Sequence, residues 1–130
     1  MSYTSQTFRP RRDMLRTLLT LILVACATAV PPRHEIMQGA TDLQTSLDSS
    51  VTALADGQIE RARTQWREAH LSWQQRVGPG LQPHLSHSEH LKLEYGLALV
   101  RDAMESEKGD MHKQVKQLKQ ELTRAMDRLP

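Results

Sequence analysis

The chain of 130 residues has a single cysteine, Cys26. No disulfide can close within it, so its fold must rest on a packed core. Aromatic residues make up only 4%: two tryptophans, two tyrosines and one phenylalanine. β-Branched residues are sparse and no stretch alternates apolar with polar, which removes the usual signals of a sheet. There is no glycine-rich phosphate loop, no CxxCH haem attachment, no pair of CxxC zinc knuckles and no serine in an activated-nucleophile setting. The sequence is therefore read as that of a protein without catalytic activity.

Net charge is low as well, at +2. Four of the seventeen basic residues, Arg9, Arg11, Arg12 and Arg16, lie in the first 25 positions against one acid, Asp13. The thirteen basic and fourteen acidic residues that remain leave the rest of the chain at −1. No nucleic-acid footprint survives that division.

The basic N-terminus leads into "TLLTLILVACATAV", an apolar run from Thr17 to Val30. It is shorter than the ~20 residues that span a bilayer comfortably, and it ends in small residues. Residues 1–30 are expected to be an export signal or anchor. Arg11 and Arg12, followed by Met14, Leu15 and Arg16, resemble a twin-arginine signal. "LVAC" resembles a bacterial lipobox, which would make Cys26 a lipid acceptor. Cleavage after Ala29 and an uncleaved anchor are the alternatives. Either way the protein is expected to be exported, at the periplasmic or extracytoplasmic face of the cell membrane.

Residues 31–130 repeat one pattern. Ile36, Ala40, Leu43, Leu47, Val51 and Leu54 advance by threes and fours, the apolar stripe of an amphipathic helix. "DGQ" around Gly57 ends it. Ile59, Ala62, Trp66, Ala69, Trp73 and Val77 form a second stripe, and "GPG" (Gly78 to Gly80) is expected to stop that helix. Ser86 and Glu89 form a capping box that opens a third helix, with Leu93, Leu97, Val100 and Met104 on its stripe. Asp110 caps a fourth, whose core positions are Met111, Val115, Leu118, Leu122, Met126 and Leu129. The fold class is all-α. The expected architecture is an up-down-up-down four-helix bundle, the alternative being a pair of helical hairpins completed by a second copy.

Polar groups near that core are the candidate site. At ~100° per residue, His87, His90 and Glu94 share one face of the third helix, and Leu91, Leu93 and Leu97 flank it. Glu94 is expected to point toward packed surface. His70 lies in the arc of Trp66, Ala69 and Trp73 on the second helix. A buried carboxylate needs a partner. The structural candidates are a tryptophan N–H, His90 and Arg101. The functional reading makes His90 and Glu94, with His87 or His70, a metal site for iron, zinc or copper. His34 and His112 are expected to be exposed.

"ALADGQIERARTQWREAHLSWQQRVGPGLQP" followed by "LEYGL" resembles the helical domain of imelysin-type periplasmic proteins, which include iron-uptake lipoproteins that work with ferrous-iron permeases. The Asp56-Gly57 turn, Trp66, Trp73 and the Val77–Pro79 helix end match, and the family glutamate falls on Glu94. The family histidine would fall at Leu91, whereas this chain carries His90, and the chain is about half an imelysin domain. A second resemblance is to short exported helical proteins of unknown function with an H-x-E motif opening the third helix, here His87 and Glu89, followed by Glu94. The first resemblance implies metal binding in support of iron uptake beside a membrane permease. The other expectation is a non-catalytic interaction module that docks on a membrane-protein partner and holds no metal.

Overall fold

Gly57, with φ of +76°, turns the chain between its first two long helices without closing on any neighbouring atom. Only glycine adopts that left-handed conformation without strain. α1 (Arg33–Ala55) ends there and α2 (Ile59–Ser72) begins. The computed structural model describes residues 30–106 and 108–130, and every regular element among them is helical, with no strand. Arg11, Arg12 and Cys26 lie outside the described residues. Pro31–Pro130 forms one compact unit. No helix among the described residues is long and apolar enough to cross a membrane.

The Gly78–Gly80 stretch departs from expectation. Rather than stopping α2, it carries the helix onward through a π-turn (Trp73–Val77), a single turn α3 (Gly78–Leu81) and a 3-10 turn (Gln82–His84). The reason lies in Pro79. Proline has no N–H and its ring clashes with the carbonyl four residues back. A widened turn just before it, in which the Gly78 N–H donates to the Trp73 carbonyl, relieves the clash while the chain stays helical. Gly80 is there for close approach: a Cβ on it would stand 2.4 Å from Cγ1 of the buried Ile36.

α4 (His87–Glu105) opens with both halves of the capping box. The Glu89 N–H donates to Ser86 Oγ at 3.1 Å, and the Ser86 N–H donates to Glu89 Oε1 at 3.3 Å. α5 (Met111–Met126) is capped by Asp110, whose Oδ1 accepts from the Lys113 N–H at 3.0 Å.

α1 packs on α2, α2 on α4, α4 on α5, and α5 back on α1. Their apolar stripes meet in one core that includes Leu43, Leu47, Trp66, Trp73, Leu97 and Leu122. The α1 stripe drifts as it runs. Val51 and Leu54 are only partly buried, while Ser50 and Ala53 take the inward positions. Ser50 is fully buried and its hydroxyl donates to the Ala62 carbonyl at 2.7 Å, which pins α1 against α2. Small residues at Ser50, Ala53 and Ala62 let the two backbones come close.

Ion pairs tie the helices at their margins. Arg63 of α2 grips Glu105 of α4 through two bonds of 2.7 Å, and Arg76 reaches Asp42 of α1 at 2.8 Å. Arg63 holds the Glu105 carboxyl below its ordinary range. The Asp42 carboxyl is also lowered, first by a hydrogen bond from Gln38 and then by Arg76.

Candidate functional site

His90 sits on the second turn of α4, facing the π-turn. Its ring lies 5.2 Å from that of Trp73, and Nε2 is 3.2 Å from the Gly78 carbonyl oxygen. A carbonyl only accepts, so Nε2 carries the hydrogen and, in the neutral ring, Nδ1 presents a lone pair. That lone pair looks toward Glu94, one turn along α4, with Nδ1 3.8 Å from Oε1. The separation exceeds a hydrogen bond. With the ring neutral, the pair sets two acceptors side by side, one on a mostly covered imidazole and one on a carboxylate open to water. The side chains are 15% and 48% exposed.

The exposure of Glu94 corrects the sequence expectation. Glu94 follows Leu93 by ~100° around the helix, and Leu93, Leu97 and Val100 take the inward direction. The expected tryptophan partner is also absent: the Trp66 indole N–H donates to the Leu97 carbonyl at 3.0 Å. Arg101 does not neutralise Glu94 either. Its guanidinium lies 5.5 Å from the centre of the Trp66 ring and pairs with Asp102 at 3.6 Å.

The other two candidates stand apart from the pair. His70 stacks on Trp66, ring centres 5.0 Å apart and planes 17° from parallel. His87 is exposed in the first turn of α4. His34 and His112 are exposed too. Among the described residues no group of three or more His, Cys, Asp or Glu side chains is arranged to hold a metal.

Geometry gives a test of what the pair can hold. At bond lengths of about 2.0–2.2 Å, a tetrahedral ion shared by an imidazole nitrogen and a carboxylate oxygen sets them about 3.4 Å apart. Closing from 3.8 Å needs a movement of a few tenths of an ångström by the exposed carboxylate. His90 already has the supporting bond typical of a ligating histidine, its other N–H given to a backbone carbonyl. The pair offers two ligands, fewer than the three or four side chains that usually hold such an ion, so its remaining positions would fall to water or to another molecule.

Two features of this region were not read from the sequence. The Gly78 carbonyl orients His90, but a backbone acceptor leaves no mark in residue types. Leu91 and Tyr95, one turn apart on α4, are exposed, Tyr95 by 65%. Their i, i+4 spacing was the available signal.

Comparison of the chain with known protein families, curated proteins and solved structures finds no match.

Proposed function

We propose that this chain is an exported, lipid-anchored helical protein that binds a metal ion through His90 and Glu94 in support of metal uptake or homeostasis, with iron, zinc and copper as the ions to test. The observation that carries this reading is the orientation of His90. Its Nε2–H is committed to Gly78, which leaves Nδ1 beside a solvent-open carboxylate. Export and anchoring rest on the basic start, the apolar run and the "LVAC" motif ending at Cys26. The up-down-up-down bundle rests on the closed ring of contacts among α1, α2, α4 and α5 and on the short connections at Gly57 and Gly109. The resemblance to imelysin-type proteins adds a membrane permease as the partner such a protein would serve.

The test is a thermal titration with ferrous iron, zinc and copper. A ligand that binds only the folded state stabilises it by about 2.7 kcal/mol at a hundredfold excess over Kd. The wild-type protein should gain that stabilisation with at least one ion, and Glu94→Gln should lose it while its metal-free melting stays unchanged. The gain should weaken as pH falls, because protons compete for Nδ1. Flat curves with every ion would overturn the metal reading.

A second reading is favoured by Leu91 and Tyr95, exposed together on α4. They suit a non-catalytic interaction module that docks on a membrane protein and uses His90 only to fasten α4 to the π-turn.

A further inference from the structure

α5 carries its charges unevenly, and their arrangement defines a second site, remote in the sequence from the His90–Glu94 pair. A groove of about 490 Å³ runs between α1 and α5, within the usual size range of small-molecule sites. Gln44 and Asp48 of α1 form one wall, and Lys116, Lys119, Gln120 and Arg124 of α5 form the other. Among the described residues Asp48 is the one carboxylate in this lining. Both its oxygens accept from Lys119 Nζ, at 3.2 and 3.0 Å, so that acid and that base neutralise each other.

Lys116 and Arg124 remain. Among the described residues neither is paired with a carboxylate. On its far side Arg124 borders a smaller pocket that holds Glu89 and Glu121, but both are engaged elsewhere. Arg128 holds Glu89 at 2.8 Å and Lys92 reaches Glu121 at 3.5 Å. The groove thus has two uncompensated positive charges. Lys116, Gln120 and Arg124 recur every fourth residue and lie in one row along α5. The two charges leave the helix about 12 Å apart, from the rise of 1.5 Å per residue. Gln120 stands between them in that row, and Gln44 and Lys119 line the same groove.

We propose that this groove binds an elongated organic anion with an acidic group at each end, one held by Lys116 and the other by Arg124. The charge count matches a dianion, and the spacing calls for a spacer between its acids. The amides suit polar groups along that spacer. Both cations are exposed, so binding weakens with salt.

The probe is suberate, a straight-chain dicarboxylate, added to the full chain in non-ionic detergent and followed by amide chemical shifts. Monomethyl suberate has the same length and a single acid. Suberate should saturate, with shifts confined to α1 and α5 around the groove. The monoester, Lys116→Gln and Arg124→Gln should each weaken binding by about two- to fivefold, the worth of one exposed charged contact. Unchanged melting of both variants would show that they remain folded. Equal titration by suberate and its monoester would overturn the proposal, as would a response to suberate that both variants retain. Shifts at the same amides on doping the micelles with phosphatidylglycerol, with none from suberate, would also overturn it, by making the face a lipid contact.

Discussion

Trp66 is where packing, hydrogen bonding and electrostatics meet in one side chain. It is 8% exposed, its indole N–H donates to the Leu97 carbonyl at 3.0 Å, His70 stacks on its ring, and Arg101 lies over it. Removing a buried tryptophan side chain costs about 3–5 kcal/mol. For a compact unit of this size, each kcal/mol lowers the melting midpoint by about 4–8 °C. Trp66→Ala should therefore fall by at least about 12 °C. Trp66→Phe retains most of the apolar bulk and the stack but loses the donor. The hydrogen bond is worth about 1 kcal/mol, so this variant should lie between the two. Thermal unfolding followed by circular dichroism measures both. A fall of under about 2 °C for the alanine variant, far below the shift expected for a lost core residue, would refute the placement of Trp66 in the core.

Gly80→Ala should destabilise by about 1–3 kcal/mol through overpacking, because its Cβ would press on Ile36 Cγ1 and Cδ1 at 2.4 and 2.5 Å. Ile36→Ala removes both of those atoms, so the double variant should be less destabilised than the sum of the two single variants in the same denaturation assay, and simple additivity would contradict the contact. Acid should weaken the fold through Asp42, Glu89 and Glu105. All three carboxyls are lowered in the folded chain: Asp42 by Gln38 and Arg76, Glu89 by Ser86 and Arg128, and Glu105 by Arg63. A lowered carboxyl adds stability above its unfolded value and loses it as pH falls through the folded one. The melting midpoint should then hold from pH 7 to about 5 and decline below about pH 4. A midpoint that rises as pH drops through that lower range would contradict these ion pairs. Cys26→Ser should release the protein from membranes or block its processing, and unchanged fractionation and migration would end the lipid-anchor reading.

Much of the helical framework was legible because it depends on local chemistry. The Ser86–Glu89 box and the Asp110 cap are interactions within one turn, and the spacing of Trp66, Ala69, Trp73 and Val77 survives the π-turn because all four remain buried. What the sequence hid depends on approach between distant segments. Glycine at positions 78 and 80 reads as a helix stop, yet at Gly80 it makes room for Ile36. Ser50 reads as polar surface, yet it is buried because the Ala62 carbonyl is within reach. Glu94 illustrates the same limit at the candidate site. Helical angles put it on the face shared with His90, which is where it lies, but they did not show that this face meets solvent at that point. The partner that orients His90 is a backbone carbonyl in a turn that residue types did not suggest.

Metal content at equilibrium is the most direct test of the His90–Glu94 pair. The full chain in non-ionic detergent would be dialysed against a low, fixed concentration of zinc, and in parallel anaerobically against ferrous iron, with retained metal counted by elemental analysis. His90→Ala with Glu94→Ala serves as the reference, since it removes both ligating side chains. The expected result is one ion retained for each wild-type His90–Glu94 pair and none above background for the double variant. Equal retention by the two proteins, at any level including zero, would contradict metal binding by this pair.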